Sequence, residues 1–381
     1  MPLKWWIEYL VTSLLTNFEG FHQHQWRKRA DALGQVNIDL LDGLTLETLY
    51  ELAQDDRLES RIIEQGRGQD DDNYNLILGP FGEGDLGPHQ MLMIQNLESL
   101  IPAVSQWLSA EFNFLPRWRI EDVMATAAHQ GGNCGAHFDQ YDVFLVQIAG
   151  EKTWSLDDGG HSAGDLRDDT DIRLLDYFKP TRTLTQQPGD VLYIPPGVGH
   201  HGLASDNSIT LSIGIRNPLL SEMASYLADM LIQESHQSSS LNDQLLGVEI
   251  DPAEVAKLGQ QLSQALIEPS LMNRWYGCYM TEPRDPELLS NVEDYVENGV
   301  DVQQLNEWLS SQTHLSLELP ARIAVQDASL FVNGEMIPLS RNVEWLIELQ
   351  QQRSVTVDQS CADLDIIKQL VETGALAGYP T

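Results

Sequence analysis

The sequence predicts a mixed α and β protein: a double-stranded β-helix (jelly roll), then a helical region, then a small C-terminal module of helices with one hairpin. Three observations predict it. Between residues 118 and 217 short apolar runs are punctuated by glycine and proline, which is the texture of a jelly roll. After Pro218 apolar residues recur at helical spacing. Near the end, residues 330–339 hold an Asn333-Gly334 pair between apolar runs, a hairpin signal.

Residues 1–17 read as a helical or arm-like lead-in, and residues 94–112 as a helix before the first jelly-roll strands. Residues 121–128 read as a strand. The run Gly131-Gly132-Asn133-Cys134-Gly135 is a tight turn, because glycine alone bends so freely. Residues 141–148 are apolar on both parities and predict a strand buried on both faces. Gly150-Glu151-Lys152-Thr153-Trp154 turns into the next strand. An acidic segment with Asp157, Asp158, Asp165, Asp168, Asp169 and Asp171 reads as a solvated loop at the mouth of the roll. Residues 187–194 enter a strand that Pro195-Pro196-Gly197 bends, and residues 209–215 alternate like a half-buried strand. Beyond them, Leu220, Met223, Leu227, Met230 and Leu231 mark a helix over 219–235, with a polar break at 237–240. Residues 252–310 read as helices, the first opened by Asp251 as cap and Pro252. The hairpin and apparent helices over 343–351 and 362–373 have the make-up of a winged helix.

The 381 residues leave room for two or three domains, and 42% hydrophobic content supplies a core. Cys134, Cys278 and Cys361 are too few and scattered for a disulfide framework or a zinc site. Met1 to Leu10 carry Glu8 inside their apolar run and no small-residue cleavage site. They read as neither a signal peptide nor a membrane span, which predicts a cytoplasmic protein. A net charge of −35, from 57 acids against 22 bases, argues against direct DNA binding despite the winged-helix pattern. It favours a basic partner, drawn in faster at low salt.

The chemistry concentrates in His137-Phe138-Asp139 and in His200, which follows Pro195-Pro196-Gly197-Val198-Gly199. Residues two apart on a strand face the same way, so His137 and Asp139 can share one metal, with His200 brought from an opposing strand. Two histidines and one carboxylate on one face leave positions open for ligands, the pattern of a non-haem Fe(II) oxygenase. His201 competes for the third place, but neighbours on a strand face apart. His22, His24, His89, His129 and His161 have no carboxylate at ligand spacing and read as surface or structural. Cys134 lacks a paired base and does not read as a nucleophile.

Trp118-Arg119-Ile120-Glu121-Asp122, the run from His137 to Phe144, and Gly189-Asp190-Val191-Leu192-Tyr193-Ile194-Pro195-Pro196-Gly197 resemble the bacterial ribosomal oxygenases. These are JmjC-type arginine hydroxylases of the YcfD (RoxA) kind, built on a cupin-like core. Trp26-Arg27-Lys28-Arg29, residues 57–61 and Leu78-Gly79-Pro80-Phe81 match in character. The likeness is specific over residues 18–217. Ala136 stands where the family pattern has proline, and His201 where it has glutamate.

The resemblance implies an oxygenase domain over 1–217, a helical dimerisation region over 218–310 and a winged-helix-like domain over 311–381. It implies Fe(II) held by His137, Asp139 and His200, with 2-oxoglutarate and O2 as co-substrates. Lys152 stands where the family carries the basic residue for the distal carboxylate of 2-oxoglutarate, and Thr126 offers that carboxylate a hydroxyl. The implied substrate is an arginine of large-subunit ribosomal protein sixteen, a basic partner, and the implied assembly a homodimer. An entering guanidinium needs an acid or acceptors. On the 121–128 strand Asp122 and Met124 share a face with Thr126, so both line the mouth. Tyr141 has the parity of Asp139; Ser212 and Arg216 share a face of the last strand. Asp142 is off parity and faces away. Histidine hydroxylation, N-methyl demethylation, a non-catalytic cupin-like metal protein and a winged-helix regulator are the alternatives.

Overall fold

The computed structural model describes residues 18–66, 73–82, 84, 86–235, 252–289, 299–311, 314–356 and 363–379. The lead-in at 1–17, the polar break at 237–240, Asp251 as a cap, Cys361 and the start of the last helix at 362 lie outside them. The chain divides into two compact units: residues up to Arg216 together with Arg284–Leu289, and Asn217–Pro283 with Ser290–Thr381.

The first unit is an antiparallel β-sandwich. Its strands are β1 (Asp31–Gln35), β2 (Ser60–Gln65), β3 (Tyr74–Leu78), β4 (Gln90–Ile94), β5 (Ile120–Ala128), β6 (Val143–Ala149), β7 (Lys152–Asp157), β8 (Arg182–Gln186), β9 (Asp190–Ile194), β10 (Gly199–Ala204) and β11 (Ser208–Ile215). Eight form one sheet in the order β1-β9-β6-β11-β5-β4-β2-β3; β10-β7-β8 form the other. The double burial of β6 has a simple cause. Val143 and Leu145 pack with Trp154, Leu156, Leu192 and Ile194 inside the sandwich. Phe144 and Val146 turn outward onto a second core with Trp107, Leu108 and Phe112. Trp107 and Leu108 belong to α3 (Pro102–Glu111) and Phe112 is its C-cap; α1 (Phe18–His24) and α2 (Leu46–Leu52) precede it.

The expected helix over 94–112 is shorter than its sequence pattern. Residues up to Ile94 complete β4, Asn96 takes a left-handed φ of 60°, Leu97–Ser99 make one 3-10 turn, and the α-helix opens at Pro102. A left-handed residue ends any regular run, and proline suits the first helical position because its missing N–H has no partner there. Within this stretch Glu98, fully buried, accepts hydrogen bonds from Arg117 Nη2 at 3.0 Å and from the backbone N–H of Val123 at 2.8 Å. It ties the turn to β5. Removing one partner of a buried ion pair strands the other, so Glu98→Ala is expected to cost about 3–5 kcal/mol in denaturant unfolding.

In the second unit α4 (Leu220–Ser235), α5 (Pro252–Leu266) and α6 (Pro269–Thr281) come first, with Leu227, Met230, Leu271 and Trp275 as their core. Then follow α7 (Val302–Ser311), β12 (His314–Ser316), β13 (Ile323–Gln326), β14 (Ser329–Val332), β15 (Glu335–Pro338), α8 (Glu344–Gln352), β16 (Ser354–Thr356) and α9 (Leu364–Glu372). β14 and β15 form the expected hairpin; Asn333 and Gly334 have φ of 47° and 89°, as a type I′ turn demands. No helix among the described residues is long and apolar enough to cross a membrane.

Candidate metal centre and its pocket

His137, Asp139 and His200 meet at one point: one ligand atom of each lies within 4.8 Å of the others. The route differs from the strand parity the sequence predicts. His137 sits in a single isolated bridge rather than a strand, and its partner is His200 itself. The His137 N–H donates to His200 O at 3.0 Å, and the His200 N–H donates back to His137 O at 2.7 Å. The Gly197 N–H donates to Asp139 O at 2.9 Å. The approach needs Gly135, whose φ is +79° and whose Cβ would lie 2.6 Å from Leu174. Ligand-bearing backbone is thus bonded directly to ligand-bearing backbone.

Each imidazole is aimed by a carbonyl. His137 Nδ1 lies 3.0 Å from Gly135 O, and His200 Nδ1 lies 3.1 Å from Val198 O. A carbonyl only accepts, so Nδ1 carries a hydrogen in both rings; Nε2 is then the atom left to face a metal, free in His200 and freed in His137 once its second proton leaves. His200 Nε2 is 3.6 Å from Asp139 Oδ2. Burial pushes the His200 ring down to about 4, leaving it neutral as a ligand must be. His137 moves to about 9: burial opposes the charge, but Cys134 and Asp139 hold the proton on. A cation entering the site displaces that proton. The donor set of two imidazoles and one carboxylate fits Fe(II) and would leave it room for further ligands.

These residues floor a cavity of about 510 Å³ between the sheets. Lys152 opens β7 and is 3% exposed; its Nζ lies 3.4 Å from both Thr126 Oγ1 and Thr210 Oγ1 and 4.7 Å from the Trp154 ring centre. Burial pushes its ammonium down to about 8. A buried cation with hydroxyls and a ring for neighbours fits a carboxylate ligand. Trp154 and Gly202 escaped the sequence reading. A Cβ on Gly202 would sit 2.6 Å from the Trp154 ring and 2.8 Å from Lys152 Cε, so only glycine there leaves Lys152 its place.

Asp122, Met124, Thr126, Tyr141 and Ser212 also line the cavity. Tyr141 does so from a bend, at 40% exposure, not from a strand. Arg216 does not. Arg216 follows Ile215, the last residue of β11, so the strand parity that placed it with Ser212 no longer governs it. Arg216 lies outside the cavity lining and pairs with Glu121. Asp142 faces away, 3.7 Å from Arg27 and hydrogen-bonded by the Tyr193 hydroxyl. His201 points to Asn133 Oδ1 at 3.2 Å. His161 lies 3.3 Å from the buried Asp157, so that end of the acidic segment is structural rather than solvated. Its other end reaches the cavity through Asp171.

Arg61, Gln95, Gly214 and Arg284 complete the mouth, and the sequence offered no signal for Gln95 or Arg284. A Cβ on Gly214 would lie 3.0 Å from Asp122 Oδ1 and 3.5 Å from the Tyr141 ring. Gly214→Val is therefore expected to narrow the passage between them. Crowding of 1–3 kcal/mol predicts a loss of roughly tenfold or more in kcat/KM for a protein substrate, with 2-oxoglutarate affinity kept. Separate titrations of the two substrates check this.

A facial His, Asp, His set in a jelly roll, beside a buried cation, defines the metal-dependent oxygenase class. Residues 107–223 match the JmjC domain family, and residues 259–377 match the ROXA-like winged helix. The chain thus joins a stretch similar to the JmjC domain to one similar to the ROXA-like winged helix. It is 29% identical over 290 residues, 73% of this chain and 74% of the relative, to the ribosomal protein uL16 3-hydroxylase of Escherichia coli (strain K12). It is 30% identical over 228 residues, 59% and 55% of the two chains, to a probable ribosomal oxygenase of Haemophilus influenzae. Its fold is that of YcfD, a ribosomal oxygenase from Escherichia coli solved in complex with cobalt and 2-oxoglutarate. The TM-score is 0.76 at 24% identity, over 96% of this chain and 99% of that one.

Proposed function

We propose that this chain is a 2-oxoglutarate- and Fe(II)-dependent oxygenase that hydroxylates an arginine of ribosomal protein uL16. The observation that carries the reading is the convergence of His137, Asp139 and His200 on the floor of a cavity that also holds the buried Lys152. The relatives named for uL16 hydroxylation and ribosomal oxygenation supply the substrate.

In this reading His137, Asp139 and His200 hold Fe(II), and Lys152 with Thr126 takes the distal carboxylate of 2-oxoglutarate. The chemistry the bound pair supplies is oxidative decarboxylation to succinate and CO2, one atom of O2 entering succinate and the other a substrate C–H bond. The chain itself binds, orients and shields. Lys152 gives a carboxylate a charge partner in a dry wall, where the attraction is strongest. Trp154 and Phe138, both buried, limit water at the ligands. The target side chain passes between Asp122 and Tyr141, with Met124 under its methylenes and Ser212 as a further hydrogen-bond partner. An acid at the mouth suits a guanidinium better than a neutral imidazole.

The exposed Leu220, Ile232 and Ile267 on and beside α4 and α5 support pairing of two copies, so the protein is read as a homodimer. A charge of −35 supports a basic substrate and no direct DNA contact, and a ribosomal protein substrate supports a cytoplasmic setting.

The test is mass spectrometry of ribosomal proteins from cells lacking the gene, incubated with the protein, Fe(II), ascorbate and 2-oxoglutarate beside a His200→Ala control. One added oxygen on one arginine of uL16, absent in the control, is the expected result. Consumption of 2-oxoglutarate with no gain on uL16 would discard the substrate and keep the oxygenase. No consumption would favour a metal-binding cupin without turnover.

A further inference from the structure

The geometry points to Arg284 as an internal stand-in for the target guanidinium: it holds Asp122 while the pocket is free, and the target arginine takes that carboxylate by exchange. This rests on the arginine-hydroxylase reading above and adds to it a residue that sets selectivity.

Arg284 arrives from far along the chain, on the short segment Arg284–Leu289 that packs into the oxygenase unit. The segment is held in place. Asp285 accepts a hydrogen bond from the buried Asn96 amide, Pro286–Leu288 form a 3-10 turn, and Pro283 and Pro286 stiffen the flanks. The guanidinium is thereby delivered to the mouth beside Gln95 and Asp122.

Its contacts are uneven. Nη2 donates to Glu59 Oε2 at 3.0 Å and to Gln95 Oε1, while Nη1 reaches Asp122 Oδ2 only at 3.3 Å. Arg284 can release Asp122 and keep two acceptors, so exchange strands neither partner. The pair is partly exposed on the Arg284 side, but Asp122 is 8% exposed, so leaving its carboxylate without a cation costs stability unless the lost charge is replaced. An incoming guanidinium replaces it. A neutral imidazole breaks the pair and returns nothing, so the resident arginine filters for cations. The same feature lowers affinity for the correct substrate, because part of the acceptor is already taken.

The experiment uses a uL16 peptide bearing the target arginine. Wild-type protein is first shown by mass spectrometry to hydroxylate it; failure at that step rejects the arginine-hydroxylase reading itself. Peptide affinity is then measured by calorimetry on the full chain loaded with Mn(II) and 2-oxoglutarate. Arg284→Gln is expected to bind the peptide about fivefold tighter, the size of one partly exposed ion pair. It is also expected to discriminate less against a peptide with histidine at the target position. On an Asp122→Asn background the gain should vanish, because the two residues act through one contact. Unchanged or weaker binding by Arg284→Gln, or the same gain without the Asp122 carboxylate, overturns the proposal. If Arg284→Gln does not fold by circular dichroism, Arg284→Lys is measured the same way. Lysine cannot span Asp122 and Glu59 together, so the same tightening is expected and its absence equally decisive.

Discussion

Asp139→Ala is expected to abolish hydroxylation, by at least about 10³-fold, because the metal-centred chemistry it removes is worth several kcal/mol. Asp139 supplies the one carboxylate among the three candidate ligands, and it lies beside the His137 ring, whose proton it helps to hold. Its backbone carbonyl, held by the Gly197 N–H, is untouched by the substitution, so the fold should remain. Mass spectrometry of the substrate gives the activity, and circular dichroism with a metal-competition titration separates loss of ion from loss of structure. The internal control is His201→Ala. It removes an imidazole beside His200 that points at Asn133, and it should keep the metal. Equal losses in both variants would remove Asp139 and His200 from the metal.

Lys152→Ala is expected to raise the KM for 2-oxoglutarate roughly 30-fold to a few thousandfold, the cost of truncating one member of a buried charge pair. Metal affinity should be retained. The same residue predicts a pH effect whose sign follows from its burial. Its ordinary value of 10.5 falls to about 8 in the folded protein. Between those values the unfolded chain binds more protons, so ligand-free stability should rise with pH across that window. Below about pH 8 the lysine is charged in both states and the full desolvation penalty is felt. A bound carboxylate keeps the proton on and removes that slope, so stabilisation by 2-oxoglutarate should be largest below pH 8 and shrink above it. Thermal melts with and without 2-oxoglutarate at pH 7 and pH 9.5 read this out. Equal shifts at both pH values would place the carboxylate away from Lys152.

What the sequence discloses about this protein divides by the range of the forces involved. β6 was legible because both of its faces are apolar, and the hairpin because Asn333 and Gly334 carry the conformations that only such residues adopt readily. The three ligands were legible through their spacing and flanks. The reason inferred for the first pair, strand parity, was not the one the structure uses: His137 is held by a backbone doublet with His200. Parity failed again at Arg216, because β11 ends at Ile215 and the local pattern does not mark that end. Arg284 was out of reach for a different reason. Its contact with Asp122 joins residues 162 apart, and nothing in Pro283-Arg284-Asp285-Pro286 distinguishes it from any polar turn. Gly202 and Gly214 matter for the volume they leave empty, and emptiness is decided by neighbours distant in sequence.

The paired backbone bonds between His137 and His200 have a consequence for how the centre is filled. Because backbone bonds already join the segments that carry the two rings, the ion is expected to enter a finished socket rather than organise a loose loop. Metal exchange should then proceed without unfolding, and chelation should leave the melting curve cooperative. The amide hydrogens of His137 and His200 should also exchange with solvent as slowly in metal-stripped protein as in the loaded form.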